Sequence, residues 1–330
     1  MRRIVSRVRY LQLAGTGCGL YFADIGHTGD NRIMKAKLMK MIATGVTAMG
    51  VLGTTLQLAA QARVNAAAMD SFQIPSHGAL LNAFVYIAAG AGPHPVVILL
   101  HGFPGNERNL DLAQAIRREG WDVLYFNYRG SWGSPGDFSF SHGIEDVASA
   151  VAYLRDPANA KRLRLDPTRI VLIGHSMGGF MTVQATAADP SIAAFGLISA
   201  ADMVGRIPAN APAQAEPQVV AEASKALAAE GMAPLAGCTP ESLARETFEH
   251  RDQWRFPLKA EALKTRPALI ITSDDGLAPF NDALTAALRK DGDTHVTAQH
   301  FPTDHAYSDQ RLELSAAVLA WLKTLPVAPH

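Results

Sequence analysis

A serine set between glycines is the residue of this chain best suited to act as a nucleophile. The sequence Gly174-His175-Ser176-Met177-Gly178 follows a short apolar run at 170–173 and precedes a segment with helical spacing. A strand, a sharp turn and a helix form the context in which a serine hydroxyl projects from the backbone, because small residues on either side let neighbouring backbone pass close by. The pattern therefore predicts a nucleophilic serine at Ser176.

A base and an acid that could serve this serine lie further along the chain. Histidine has a pKa near neutrality, so it can take the proton of a serine and return it to a leaving group, and His300 and His305 both precede the last predicted helix. A carboxylate at the end of a strand can hold such an imidazole in one tautomer. Asp274 and Asp275, which follow the apolar run 268–272, are the candidates for that acid.

A second glycine-containing turn could supply backbone hydrogen-bond donors. His101-Gly102-Phe103-Pro104-Gly105 directly follows the apolar run 95–100 and lies 75 residues before Ser176. A tetrahedral intermediate requires preorganised N–H donors, and glycine lets the chain turn those donors inward.

The elements that must position these residues alternate along the chain. Apolar runs predict strands at 71–74, 79–88, 95–100, 121–128, 170–173, 192–199, 268–272 and around 295–300. Helical spacing predicts helices at 109–119, 144–154, 178–188, 279–290 and 311–325. Alternation of this kind predicts an α/β fold with a mostly parallel central sheet and helices on both faces, with the candidate residues at the carboxyl ends of strands. Residues 201–265 interrupt it and predict a helical insertion, with helices near 218–230 and 240–254.

The order of these motifs resembles the α/β-hydrolase family over residues 69–325. The resemblance implies Ser176 as nucleophile, His305 as base and Asp275 as acid, since the family register selects Asp275 over Asp274, while some members place the acid at Asp202. It implies the amides of Phe103 and Met177 as the oxyanion hole, and the insertion 201–265 as a lid. It also implies an acyl-enzyme mechanism that needs no metal and no organic cofactor.

The resemblance does not decide whether the bond that is cleaved is an ester or an amide. A carboxylic ester of small or medium size is the expectation, with apolar lid residues forming an acyl site or packing in the core: Met203, Met232, Leu235, Phe248, Trp254 and Phe256. The loop 128–136 resembles those of serine aminopeptidases and prolyl oligopeptidase-like peptidases, which makes a peptide or amide the alternative. Met177 stands where prolyl oligopeptidases usually have Tyr, and their propeller is absent. Arg129 in this loop is interpreted as a structural tie, and a non-catalytic exported binding protein is the rival from another class.

Charge and hydropathy divide the chain into an N-terminal part and a body. Residues 1–62 carry eight Lys and Arg against two Asp, so the remaining chain is mildly acidic and lacks the basic surface of a nucleic-acid-binding protein. Residues 34–62 have a basic start, an apolar middle and a small-residue end, which predicts a signal peptide cleaved after Ala62, or alternatively after Ala68. An uncleaved anchor is the other interpretation.

The N-terminal prediction has three consequences. Residues 1–33 precede the signal and are interpreted as a disordered segment or a misassigned start, with Met34 as the native start. The mature chain is predicted to be exported to a bacterial periplasm or the extracellular medium, without stable membrane insertion. Cleavage would leave Cys238 as its single cysteine, without an internal disulfide. The sequence does not indicate an oligomeric state.

Overall fold

Eight strands form one sheet in the computed structural model, which describes residues 65–290 and 295–326. The predicted segments 1–33 and 34–62 lie outside the described residues. The strands are β1 (Ala68–Ser76), β2 (Ala79–Ile87), β3 (His94–Leu100), β4 (Asp122–Phe126), β5 (Leu165–His175), β6 (Ala194–Ile198), β7 (Ala268–Ser273) and β8 (Val296–Phe301). Their spatial order is β1-β2-β4-β3-β5-β6-β7-β8.

The sheet is parallel from β4 to β8 and antiparallel at its β1 end. β1 pairs antiparallel with β2, and β2 pairs antiparallel with β4. A two-residue turn joins β1 to β2, with His77 at φ 45° and Gly78 at φ 86°. Positive φ at both turn residues matches the twist of a hairpin, so the predicted hairpin forms the edge of the sheet.

Nine α-helices of the described residues connect these strands. They are α1 (Leu110–Arg118), α2 (Phe140–Arg155), α3 (Pro157–Leu163), α4 (Met177–Ala188), α5 (Glu216–Ala229), α6 (Pro240–Glu249), α7 (Ala260–Leu263), α8 (Ala278–Lys290) and α9 (Arg311–Leu322). No helix among the described residues has the length and apolar character that crossing a membrane requires.

The central strands are apolar on both faces because helices cover both faces. Along β3, Val97 and Leu99 belong to one buried cluster with side chains of α1 and α9. Val96 and Ile98 belong to the opposite cluster with side chains of α2 and α4. Successive side chains of a strand point to opposite faces, so the continuous run of β3 fills two cores. The predicted fold class is confirmed.

One helix boundary and one additional helix differ from the sequence prediction for identifiable reasons. α2 begins at Phe140, four residues earlier than predicted, because the Ser139 side chain accepts a hydrogen bond from the His142 N–H and caps it. α3 was not predicted. Asp156 caps it through the N–H groups of Ala158 and Asn159, and Pro157 is its first residue, a start signal that the sequence already contained.

The segment between β6 and β7 contains α5 and α6, near the helices expected at 218–230 and 240–254, and the short α7, which the sequence analysis did not predict. Its apolar side chains pack on the main core. Phe248, Trp254 and Phe256 are buried in it, while Met203, Met232 and Leu235 are partly buried against it. The three largest of the residues proposed for an acyl site therefore pack in the core.

Candidate active site

Ser176 lies in a strained turn between β5 and α4. Its backbone has φ 56° and ψ −123°, a conformation that a residue with a side chain rarely adopts. A Cβ atom built on Gly174 would lie 2.0 Å from the Gly178 carbonyl oxygen, and one built on Gly178 would lie 2.1 Å from the Leu100 oxygen. Only glycine fits these two contacts, so the glycine spacing and the tight turn have the same steric cause.

The turn after β3 runs alongside Ser176. A Cβ atom built on Gly102 would lie 2.9 Å from Ser176 Cβ and 3.4 Å from its Oγ. Among the described residues, neither the Phe103 nor the Met177 amide donates a hydrogen bond to a protein acceptor. Two free N–H groups next to a serine are the donors that an oxyanion requires.

Two side chains fix this turn. The ring of His101 is buried and donates from Nδ1 to the Gly102 oxygen at 2.8 Å, and burial lowers its pKa to about 4, so it stays neutral. Trp132 Nε1 donates to the Pro104 oxygen at 2.7 Å from the neighbouring loop. The Phe103 amide is therefore carried by backbone that is held on both sides.

His305 and Asp275 meet as a hydrogen-bonded pair. His305 Nδ1 lies 2.7 Å from Asp275 Oδ2, and the side chains are 40% and 5% exposed. A carboxylate on Nδ1 places the lone pair of a neutral imidazole on Nε2, which is the nitrogen that a general base uses.

The Asp275 carboxylate is stabilised as an anion. Burial alone would raise its pKa, but hydrogen bonding from His305, from the Leu277 N–H and from the hydroxyls of Ser199 and Ser273 outweighs burial. The net effect holds the pKa of Asp275 well below its usual range. The acid is thus ionised at any pH at which His305 acts as a base.

The two other candidate acids make different contacts. Asp274 is exposed, and its Oδ1 lies 3.1 Å from His300 Nε2. The alternative acid and the alternative histidine of the sequence analysis thus pair with each other. Asp202 is buried and accepts from the N–H groups of Val204 and Phe256. It closes the base of the insertion and does not contact His305.

His175, the residue before Ser176, packs against His305. The His175 ring packs 4.6 Å from the His305 ring, measured between centroids, and its Nε2 donates to the His305 carbonyl at 2.8 Å. Among the described residues, the Ser176 hydroxyl makes no hydrogen bond, so the structure brings Asp275 and His305 together but does not join His305 to Ser176. Such bonds are often long without substrate and tighten in the complex.

Sequence reasoning did not identify the residues that support the histidine pair from behind. His175 was only part of the serine motif, and Ser199, Ser273 and Tyr307 carried no role. A polar residue at the end of each central strand was the available signal, since the carboxyl ends of parallel strands meet at one edge.

Arg129 ties its loop to α2. Its Nε donates to Asp146 Oδ1 at 2.7 Å, its backbone N–H donates to Asp146 Oδ2 at 2.7 Å, and Nη2 donates to the His142 carbonyl at 3.0 Å and to Glu145. The guanidinium is almost fully buried. These contacts use the donors of the Arg129 guanidinium within the protein. This agrees with the interpretation of Arg129 as a structural residue that holds its loop.

An open groove of about 490 Å³ adjoins the turn after β3. Pro104, Asn106 and Trp132 form one side, and the insertion forms the other with Glu230, Gly231, Ala233 and Pro234. The insertion is fixed here by backbone hydrogen bonds, from Trp132 to Pro234 at 2.9 Å and from Ala236 to Gly130 at 2.8 Å. No group of three or more His, Cys, Asp or Glu side chains in the described part of the chain converges as a metal site.

Comparison with known proteins gives one family match. A family model described as "Alpha/beta hydrolase family" matches residues 97–317. "Quorum-quenching protein AidA" of Acinetobacter baumannii is 30% identical over 128 residues, covering 37% of this chain and 40% of that protein. An uncharacterized protein of Mycobacterium tuberculosis is 30% identical over 107 residues, covering 32% and 36%. The chain thus matches less than half the length of these curated relatives.

Solved structures share the fold at low sequence identity. A thermostable carboxyl esterase from Bacillus coagulans has a TM-score of 0.59 and 17% identity, covering 79% of this chain and 99% of that one. EstE1, a carboxylesterase from a metagenomic library, has a TM-score of 0.58 and 20% identity, covering 79% of this chain and 90% of that one. Est1E from Butyrivibrio proteoclasticus, solved with ferulic acid bound, has a TM-score of 0.55 and 19% identity, covering 77% of this chain and 98% of that one. At these identities the likeness is one of fold.

Proposed function

The chain belongs to the alpha/beta hydrolase family, whose model matches residues 97–317, and on that premise we propose that it hydrolyses a carboxylic ester through a covalent acyl-enzyme. The observation that carries this proposal is the 2.7 Å hydrogen bond between His305 Nδ1 and Asp275 Oδ2, made by a histidine whose ring packs against His175, the residue before the strained Ser176. Together these groups have the parts of a nucleophile, a base and an orienting acid.

Each residue has one role in the proposed reaction. The Ser176 oxygen attacks the ester carbonyl carbon while its proton passes to His305 Nε2. The Phe103 and Met177 amides donate to the carbonyl oxygen as it becomes an oxyanion. The protonated His305 then gives its proton to the departing alcohol, and a water molecule repeats the sequence in reverse to release the acid. Asp275 stabilises the imidazolium in both halves.

A fluorophosphonate probe tests the nucleophile directly. We expect the wild-type protein to be labelled, Ser176→Ala to lose the label, and the matched control Ser224→Ala on α5 to retain it. Absence of labelling in the wild type would favour the rival interpretation, a non-catalytic exported binding protein.

A substrate panel separates ester from amide cleavage. We expect turnover of p-nitrophenyl acyl esters and little turnover of aminoacyl anilides. Because one relative is named as a quorum-quenching protein, the panel includes quorum signals that contain an ester or lactone bond. Turnover of anilides without esters would make the protein a peptidase or amidase.

We also propose that the protein is exported, with residues 34–62 as its signal peptide. The proposal rests on the basic start, the apolar middle and the small residues that end this segment. N-terminal sequencing of the protein from periplasmic and culture fractions should give a chain that begins after Ala62. A full-length cytoplasmic product that begins at Met1 would overturn the proposal.

A further inference from the structure

Three hydroxyl groups from separate parts of the chain meet behind Asp275. Ser199 directly follows β6, Ser273 is the last residue of β7, and Tyr307 lies two residues after His305. Ser199 Oγ lies 2.8 Å from Ser273 Oγ and 2.9 Å from the Tyr307 hydroxyl. All three side chains are buried, with at most 1% of each residue exposed.

We propose that these hydroxyls form a positioning device that directs a proton toward the Asp275 carboxylate and sets the strength with which Asp275 acts on His305. The inference rests on the proposed function, because it assigns Asp275 and His305 their catalytic roles. Ser199, Ser273 and Tyr307 are positioning residues in this scheme, since none of them touches the substrate.

Counting the protons of the three hydroxyls leaves one that the contacts within the cluster do not use. Burial raises the pKa of Tyr307 to about 12, so its phenol keeps its proton at neutral pH. The three hydroxyls hold three protons, and the two contacts between them use two. A buried donor requires an acceptor, and among the described residues no backbone carbonyl accepts from this cluster. We assign the remaining proton to the Asp275 carboxylate, because Ser199 and Ser273 are the hydroxyls of this cluster that lower its pKa.

Two residues of the cluster have positive φ, as Ser176 does. Ser199 has φ 43° and Tyr307 has φ 58°, and both are left-handed conformations that residues other than glycine rarely adopt. Ser199 is fixed by its N–H on the Ile271 oxygen at 2.8 Å, and Tyr307 by its N–H on the Asp304 oxygen at 3.0 Å. Strain of this kind persists only where the surrounding structure imposes it, and it concentrates at functional sites.

The charged and titratable groups around His305 do not interfere with a measurement of the His305 titration, because their own charges stay constant. They are His175 from β5, Asp275 from the turn after β7, Asp304 beside it, Tyr307, and Arg311 of α9, which donates to the Ala306 oxygen at 2.9 Å. Burial lowers the pKa of His175 to about 4. The pKa of Asp304 is lowered by hydrogen bonds around Ser308, and that of Arg311 is raised by Asp111 against the effect of burial. None of these groups changes charge between pH 5 and pH 9.

The test measures the acid–base behaviour of His305 in Tyr307→Phe, Ser199→Ala and Ser273→Ala, made in the full chain. Loss of a donor leaves more negative charge on Asp275, so the imidazole pKa, followed by NMR, should rise by about half a unit. The acid limb of kcat/KM against pH should move with it. We expect kcat to fall about tenfold with little change in KM, because the pair is less well oriented.

Two reference variants frame this result. Asp275→Asn removes the negative charge and should move the imidazole pKa in the opposite direction, downward. Tyr153→Phe, on α2 and remote from the cluster, should leave both pKa and kcat at wild-type values. Tyr307→Phe keeps its ring against Phe301, with centroids 5.9 Å apart, so it provides the test even if Ser199→Ala does not fold.

The outcomes separate the cluster from the proposed function. Variants with reduced melting temperature but a wild-type imidazole pKa would show a merely structural cluster and overturn the inference, as would a downward shift like that of Asp275→Asn. If the wild type neither cleaves esters nor reacts with the fluorophosphonate, the proposed function fails. The NMR titration still decides the effect of the cluster on His305 in that case.

Discussion

Two of the His–Asp pairs in the described part of the chain lie at opposite ends of the strands of the sheet. His305 and Asp275 lie at the carboxyl ends of the strands with 2.7 Å between Nδ1 and Oδ2. His94, the first residue of β3, and Asp122, the first residue of β4, lie at the amino ends with 3.0 Å between Nδ1 and Oδ1. The His305 side chain is 40% exposed, whereas that of His94 is 9% exposed. Similar bonds therefore occur in different surroundings.

The two carboxyl groups differ most in the donors around them. Asp275 accepts from His305 and from the Leu277 N–H and is flanked by two serine hydroxyls, and its pKa is low despite burial. Asp122 accepts from His94 and the Ala88 N–H on one oxygen, its other oxygen has no partner among the described residues, and burial raises its pKa to about 7. The comparison teaches that a histidine and one backbone N–H do not keep a buried carboxyl ionised, whereas the larger set of donors around Asp275 does.

The largest expected contrast is in activity. Asp275→Asn should reduce kcat for an ester by about 10⁴-fold, because an amide favours the wrong tautomer of His305 and cannot stabilise the imidazolium. The same substitution in the other pair, Asp122→Asn, should leave kcat within about threefold of wild type, because it is remote from the oxyanion turn. Steady-state kinetics on a p-nitrophenyl ester measure both. Equal losses in the two variants, with both folded, would refute the distinction between the pairs.

A smaller contrast is expected in the pH dependence of stability. The folded pKa of Asp122 is about 7 and its ordinary value is 3.8. Between these values the folded state holds a proton that the unfolded state has lost, so this stabilisation is present at low pH and is lost as pH rises to about 7. In the wild type His94 opposes the trend, because burial lowers its pKa and the unfolded chain binds the proton more readily.

Removal of His94 should therefore expose the behaviour of Asp122. For His94→Asn, the free energy of unfolding should fall by about 2 to 4 kcal/mol between pH 4 and pH 7 relative to the double variant that also carries Asp122→Asn. Denaturant titrations at several pH values measure it. His300→Asn in the exposed pair with Asp274 is the matched control and should show no such slope. A pH-independent difference between His94→Asn and the double variant would mean that Asp122 is ionised throughout.

The sequence predicted one pair and not the other for a physical reason. Asp275 and His305 follow a strand and precede a helix in a register typical of the family, so local pattern identified both. His94 lies at a Pro-rich turn and Asp122 at the start of a strand, and their contact arises only because β3 pairs with β4. Local sequence carries no information about such a tertiary contact.

The same limit applies to the groups behind Asp275. Ser199 and Tyr307 are 108 positions apart, and their contact requires the parallel order of β6 and β7 and the path of the loop after β8. The glycines of the serine turn were predictable because the constraint is local and steric. The choice of Asp275 over Asp274 came from register, whereas the donors that keep Asp275 ionised come from the assembled sheet.

The smallest expected effect concerns a contact that His305 makes through its backbone. His175 Nε2 donates to the His305 carbonyl at 2.8 Å, so a loss of this donor should shift the imidazole slightly. We expect His175→Leu to lower kcat about tenfold with KM unchanged, and His175→Gln to recover most of the loss because its amide can donate to the same oxygen. If both variants are equally impaired at equal melting temperature, His175 supports the turn by its volume and not by this hydrogen bond.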